Sequence, residues 1–135
     1  MLIGNGAANA AESVWNQTVT VAPNTPYTIS FYLAEISTPT APNTVAEIAV
    51  ALGSDQIGTV TAPSVIDTLQ QFSFQWTAGS GTSTALSLSD LNTAGAGNDF
   101  AIDNISMSAV PEPSGLGLLA LGLPLARLLR RKVGI

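Results

Sequence analysis

The residues that could carry chemistry in this chain are few. Its 135 residues include no Cys and no His, so it has no thiolate nucleophile and lacks both the usual general base and the commonest side-chain ligand of transition metals. Catalysis would rest on carboxylates, and a pair that cleaves glycosidic bonds must lie about 5–9 Å apart. Asp99 and Asp103 are four positions apart, and along one strand that spacing would separate them by about 13 Å. We therefore predict that the protein is not an enzyme.

Charge divides the chain into two unequal parts. All four basic residues lie in the last nine positions, whereas residues 1–110 hold eight carboxylates and no Lys or Arg, a formal charge of −8. Because this larger part has nothing to neutralise phosphates, we do not expect it to bind nucleic acid. Its charge permits calcium binding without indicating it.

The C-terminal residues 110–135 are of a different kind. Pro111 and Pro113 cannot continue a strand or a helix interior, so they separate this segment from the rest. Residues 115–129, GLGLLALGLPLARLL, would form a helix about 22 Å long, against a hydrocarbon core about 30 Å thick. Leucines occupy all faces of that helix rather than one stripe, which favours a membrane segment over a soluble amphipathic helix.

Basic residues close this segment. Arg127 can extend its side chain to the lipid headgroups, and Arg130, Arg131 and Lys132 would hold this end in the cytoplasm under the positive-inside rule. The hydrophobic run is short and contains Pro124, which suits temporary rather than permanent anchoring. A permanently anchored protein that is never processed is the alternative.

The rest of the chain alternates apolar and polar side chains in short runs separated by Gly, Pro and Asn. This pattern predicts seven strands, the first two paired with each other, at 13–21, 27–36, 45–52, 56–62, 69–78, 84–91 and 100–109. Short strands at this spacing are typical of an all-β, antiparallel β-sandwich. We expect its core to be dominated by aromatic side chains, namely Trp15, Tyr27, Phe31, Phe72, Phe74 and Trp76.

The order of motifs at the C-terminus resembles the PEP-CTERM sorting signal of exported proteins in Gram-negative bacteria. The resemblance rests on VPEPS, the short Gly/Leu-rich hydrophobic helix and the terminal basic cluster. It implies recognition by exosortase, a membrane-embedded cysteine protease, through Val110, Pro111, Glu112, Pro113 and Ser114. It also implies a precursor held briefly in the inner membrane and a product at the cell surface, in the extracellular matrix or secreted. Arg127 and the final VGI depart from the pattern.

The strand patterns resemble jelly-roll domains of the galactose-binding-like class, which includes many carbohydrate-binding modules. The resemblance rests on QTVTVAPNTPYTISFYLA, FSFQWTAGSGTSTALSLSDL and FAIDNISMSAV. The opening strands of such a domain are not apparent, and the first residues lack the features of a signal peptide. We therefore expect a disordered or truncated start over 1–12, a jelly-roll-like and incomplete sandwich over 13–109, and the sorting segment over 110–135.

Two residues are candidate binding residues. In the resembled jelly rolls the Asp at the position of Asp103 often helps to hold a structural calcium ion, and the alternative is an Asp on the solvent face or at a bulge. Tyr32 alternates with Phe31, so it points away from the core and is the candidate residue for binding extracellular polysaccharide. We expect no other cofactor. The sandwich would then be either a glycan-binding module or a structural spacer.

Overall fold

The computed structural model describes residues 1–6, 9, 11–41, 44–94 and 96–111. These residues form eight strands and no helix, with β1 at Leu2–Gly4, β2 at Glu12–Thr20, β3 at Pro26–Glu35, β4 at Glu47–Leu52, β5 at Asp55–Thr61, β6 at Gln70–Thr77, β7 at Ser83–Asp90 and β8 at Phe100–Ala109. Sheet A has the order β1-β8-β3-β6 and sheet B the order β2-β7-β4-β5, both antiparallel. The all-β, antiparallel sandwich predicted from the sequence is confirmed.

The core lies between the two sheets and follows the alternation of the strands. On β3 the side chains of Ile29, Phe31 and Leu33 are fully buried, while the residues between them are partly exposed. Sheet B contributes Leu86 and Leu88 from β7, which are also buried. Successive side chains of a strand point to opposite faces, so one set fills the core and the other forms the outer surface.

The predicted pairing of the first two long strands is wrong. β2 pairs with β7 in sheet B, whereas β3 pairs with β6 and β8 in sheet A. The short connection between β2 and β3 crosses from one sheet to the other, with Asn24 in a left-handed conformation at φ 54°. The connection is as short as that of a hairpin, so its length alone did not reveal the crossing.

Only two of the six aromatic side chains expected in the core are buried, Tyr27 and Phe31. The other four are partly buried against the core because they lie on β2 and β6, which are edge strands. Phe74 covers the backbone of Gly58 on β5 so closely that a Cβ at Gly58 would collide with its ring. Phe100, which the sequence reading did not place in the core, is 1% exposed.

β1 is a strand that the sequence pattern did not predict. It pairs with the first part of β8, from Leu2 opposite Ile102 to Gly4 opposite Phe100. Within the described part of the chain, no strand pairs with residues 104–109 of β8 on that side. β8 therefore has a free edge over more than half of its length.

A bulge interrupts β8 beside this free edge. Ser30 pairs with Ser106 and Tyr32 with Asp103, so Phe31 alone stands opposite both Asn104 and Ile105. Asn104 takes the left-handed conformation, with φ 50°. The extra residue explains the spacing of three between the inward-pointing Ile102 and Ile105, and it brings Asp103 and Ser106 to the same outward face.

Buried polar side chains tie down the loops at one end of the sandwich. The Glu35 carboxylate accepts hydrogen bonds from the Ala46 backbone N–H, at 2.8 Å, and from the Ser37 hydroxyl, at 3.1 Å. Asp90 accepts the N–H of Asn92, and the Asn98 side chain donates to the Asn92 carbonyl. No buried side-chain polar atom of the described residues lacks a partner, so these acids have structural roles.

No helix in the described residues is long and apolar enough to span a membrane. The predicted membrane segment at 115–129 and the basic residues Arg127, Arg130, Arg131 and Lys132 lie outside the described residues. The segment and its basic cluster therefore stay predictions from the sequence.

Candidate functional site

The outward-pointing side chains of β3, β6 and β8 form one polar surface on sheet A. Residues directly opposite each other in an antiparallel sheet share a face, and the register aligns three rows of three. We call this surface the polar face, and its rows are Gln75–Thr28–Ser108, Ser73–Ser30–Ser106 and Gln71–Tyr32–Asp103. Every member carries a hydroxyl, amide or carboxylate group.

Tyr32 is the single aromatic side chain on the polar face. It lies between Gln71 on β6 and Asp103 on β8. In the next row the Ser30 and Ser106 hydroxyls are 2.9 Å apart. An aromatic ring supplies an apolar surface with a polar tip, and the surrounding groups supply donors and acceptors. This combination suits a polyhydroxylated ligand such as a sugar.

A concave trough adjoins the polar face at the end of β3. Its floor is formed by Ala34 and Ala101, which are 3% and 4% exposed, and its sides by Ile3 and Leu69, which are 65% and 50% exposed. Ile3, Ala101 and Ala34 are in register across β1, β8 and β3. Small side chains between larger ones make the surface hollow, with a cavity of about 360 Å³.

Asp103 is held in its ionised form on this surface. Its Oδ1 lies 3.0 Å from the Met1 ammonium, and its side chain is 35% exposed. The hydrogen bond from that ammonium, helped by the backbone N–H of Asn104, lowers the pKa of Asp103 below its usual value, and desolvation opposes the shift only in part. Asp103 is half-buried on the outward face, next to the bulge at Asn104.

The described residues contain no group of three or more His, Cys, Asp or Glu side chains placed to hold a metal ion. Calcium prefers six to eight oxygen ligands, and Asp103 can contribute two of them. The structural calcium that the resemblance implies stays untested, as does its alternative, an Asp on the solvent face or at a bulge.

A second hollow lies on the other side of Asp103, between β2 and the free edge of β8. It has a volume of about 370 Å³ and is lined by Met1, Leu2, Trp15, Ile102, Asp103, Asn104 and Ile105. Trp15 packs partly against the core here. Beside this hollow, the pairing of β1 with β8 reaches as far as Leu2 opposite Ile102.

The predicted sorting motif begins where the sandwich ends. The N–H of Val110 donates to the carbonyl of Pro26 at 2.8 Å, directly beyond the last residue of β8. Pro111 is exposed. Glu112, Pro113 and Ser114 lie outside the described residues, so the motif is seen only at its first two positions.

Sequence reasoning identified Tyr32 and Asp103 separately, and the structure places them side by side. It missed Gln71 as their neighbour because alternation assigns a face but does not give the register between distant strands. It also missed the trough. The sequence held one signal for the trough. Ala34 on β3 and Ala101 on β8 are small apolar residues at outward positions of strands whose other outward residues are mostly polar.

No protein-family model matches the chain, and no curated protein matches its sequence. Solved structures do match. The C-terminal domain of EclA, described as a sugar-binding protein, is 19% identical with a TM-score of 0.64, and the match covers 74% of this chain and 69% of that one. The CBM22-1 xylan-binding domain of Xyn10C from Paenibacillus barcinonensis is 16% identical with a TM-score of 0.52, covering 77% and 70%.

Enzymes share this fold as well. A cyclase from Fischerella sp. TAU, solved with an indole ketone, is 13% identical with a TM-score of 0.53, and the match covers 73% of this chain and 57% of that chain. At these identities the similarities show the fold alone. The chain therefore has the jelly-roll sandwich fold found in sugar-binding domains and in cyclases.

Proposed function

We propose that the sandwich is a non-catalytic module that binds polysaccharide through Tyr32, the rest of the polar face and the adjoining trough. The observation that carries the proposal is the row Gln71–Tyr32–Asp103, an aromatic ring between an amide and a carboxylate beside a hollow of about 360 Å³. The C-terminal domain of EclA supports the proposal, since it is a sugar-binding protein and shares the fold.

The chemistry of the surface matches that of a sugar chain. Sugar hydroxyls donate and accept hydrogen bonds, and the polar face offers both kinds of partner in amide and hydroxyl side chains. The apolar C–H face of a sugar ring can pack on the Tyr32 ring or on the aliphatic walls of the trough. From Thr28 to Ala34 the surface extends about 20 Å along β3, which is long enough for several sugar units.

Binding can be tested on the full chain in a polyoxyethylene detergent, because glycoside detergents would compete for the site. Soluble arabinoxylan, mixed-linkage β-glucan and galactomannan would be titrated by calorimetry. We expect Tyr32→Ala to weaken binding about tenfold, or about 1.4 kcal/mol, and Gln71→Ala to weaken it as well. Gln17→Ala, an exposed glutamine on β2 of sheet B, is the matched control and should leave affinity unchanged.

Two results would contradict this proposal. If no polysaccharide binds, the module is a structural spacer. If Gln17→Ala weakens binding and Tyr32→Ala does not, the ligand binds beside β2 and not on the polar face.

We also propose that the C-terminal segment delivers the module to the outside of a Gram-negative cell. The precursor would be held in the inner membrane by residues 115–132, with the basic end in the cytoplasm, and cut by exosortase near Pro-Glu-Pro. Accessibility supports this, because Pro111, the second residue of the motif, is exposed directly after the hydrogen bond from Val110 to Pro26. Proline also lacks the N–H needed for strand pairing, which favours binding of the motif by a protease.

The processing step can be tested in the native host. Replacing Pro111, Glu112 and Pro113 by alanine should leave insertion in the membrane intact and block release, whereas Pro23→Ala, at an exposed turn, should have no effect. Mass spectrometry of the surface protein should find no peptide that ends in RRKVGI. Finding that peptide on the mature protein would show permanent anchoring without processing.

A further inference from the structure

We infer that the polysaccharide bound by the polar face is uncharged, and that Asp103 makes the site reject acidic chains that carry uronate or sulfate groups. This inference rests on the proposed function and adds the ligand class of the same site. It follows from the charges around the polar face and the trough.

The described residues offer no free cation to an acidic sugar. Their side chains include eight carboxylates and no Lys, Arg or His. The one positive group among them, the Met1 ammonium, already lies 3.0 Å from Asp103 Oδ1. Carboxylate and sulfate groups are recognised most effectively by Arg or Lys, through charge-assisted and often bidentate hydrogen bonds. The polar face and the trough have no Arg or Lys side chain that could bind such a group in this way.

Carboxylates also stand at both parts of the site. Asp103 is in register with Tyr32 on the polar face, and Asp67 lines the trough. A ligand that lies along β3 from the trough to Tyr32 passes both of them. A negative group on the ligand about 4 Å from an unpaired carboxylate loses about fivefold in affinity even in water-like surroundings. At Asp103 the Met1 ammonium offsets part of this repulsion. It also gives up hydration without gaining a partner.

Uncharged sugars have the opposite relation to Asp103. An ionised carboxylate accepts hydrogen bonds from hydroxyl groups, and these bonds are stronger than those between neutral groups. The amides of Gln71 and Gln75 and the hydroxyls of the remaining rows can donate as well as accept. The same residue that repels an acidic chain therefore contributes to binding a neutral one.

The test compares two sets of polymers on the full chain in polyoxyethylene detergent. Arabinoxylan, mixed-linkage β-glucan and galactomannan are the uncharged set, and polygalacturonate and alginate are the acidic set. Affinity electrophoresis and calorimetry would be run at low and at physiological salt, because repulsion between exposed charges weakens with screening. We expect the wild-type protein to bind a member of the uncharged set at least tenfold more tightly than either acidic polymer.

Two variants test the role of Asp103 directly. Asp103→Lys should increase affinity for polygalacturonate at least tenfold at low salt. Glu12→Lys changes the net charge equally, at an exposed position on β2 of sheet B, and should give no comparable gain. Equal gains in the two variants would overturn the role of Asp103, since the effect would then come from the charge of the whole molecule.

The remaining outcomes separate this inference from the function on which it rests. Wild-type binding of an acidic polymer as tight as that of the uncharged ones overturns the inference and leaves polysaccharide binding intact. Binding of no polymer in either set overturns the proposed function, and the inference falls with it.

Discussion

At the scale of single residues, the ionisation of Asp103 is set by its closest partners. The hydrogen bond from the Met1 ammonium is the main cause of its lowered pKa, and the N–H of Asn104 adds to it. We expect a pKa below that of an ordinary aspartate, measured by carboxyl-carbon NMR with Asp103→Asn to assign the signal. Acetylating the α-amine should raise the pKa again, and a pKa that is not lowered in the unmodified protein would contradict the ion pair.

The direction of this shift fixes its effect on stability. A carboxyl whose pKa is lower in the folded state stabilises the fold above its unfolded pKa, and this contribution is lost as the pH falls through the folded value. On going from neutral to acidic pH, the free energy of unfolding should therefore fall more in the wild type than in Asp103→Asn. The difference should be small, because the pair is exposed to solvent and screened.

Glu35 offers a sharper stability test because its side chain is fully buried. Glu35→Ala would leave the Ala46 N–H and the Ser37 hydroxyl without their acceptor, at a cost of about 1–3 kcal/mol for a buried unsatisfied group. Glu35→Gln keeps one acceptor oxygen, so chemical denaturation should show a smaller loss. Equal losses in the two variants would mean that the charge, and not the hydrogen bonds, matters.

At the scale of elements, β6 is the strand most exposed to unwanted pairing. It is an edge of sheet A, and its sequence QQFSFQWT has no charge and no proline. Such edges are templates for aggregation. We expect Ser73→Lys on β6 to lower the rate of aggregation, measured by light scattering. The control is Ser30→Lys on β3, directly opposite Ser73. Because β3 is paired on both sides, this substitution should not lower the rate of aggregation.

A contrary result for this pair is easily recognised. Each substitution adds one positive charge to an acidic protein, so both reduce the repulsion between molecules equally. If Ser73→Lys aggregates as fast as Ser30→Lys, the β6 edge is not the site of assembly.

The strands themselves were predictable because one face of each is buried. The alternation of Phe72, Phe74 and Trp76 with polar residues marked β6 within one residue at each end. β1 escaped detection because three residues are too few to show alternation. The pairing of β2 with β7, and not β3, was also beyond reach, since strand partners depend on contacts between residues far apart in sequence.

The candidate site was predictable only in part, for a related reason. The outward direction of Tyr32 follows from its position after Phe31. Its proximity to Asp103 depends on the β3–β8 register and on the bulge at Asn104, and neither is written in a local pattern. The hollow over Ala34 and Ala101 additionally needs Leu69 and Ile3, which come from the two opposite ends of sheet A.

At the scale of the whole molecule, calcium binding can be read from the melting temperature of the sandwich. An ion that binds only the folded state raises that temperature. We expect no shift with added Ca²⁺, because the Asp103 carboxylate is already paired and supplies too few oxygens by itself. A rise that disappears in Asp103→Asn and persists in Asp55→Asn, on β5 of sheet B, would establish the calcium site instead.

The position of β8 has a mechanical consequence. β8 is the last strand before Pro111, and it lies inside sheet A. It pairs with β3 along its whole length, from Ala109 opposite Tyr27 to Phe100 opposite Glu35. If the C-terminal segment holds the protein and a polymer pulls on Tyr32, the load passes along β8 and across its ladder with β3. Pulling a strand along its own axis strains many hydrogen bonds at once, whereas peeling breaks them singly. We expect a tethered module of this kind to resist force applied along β8.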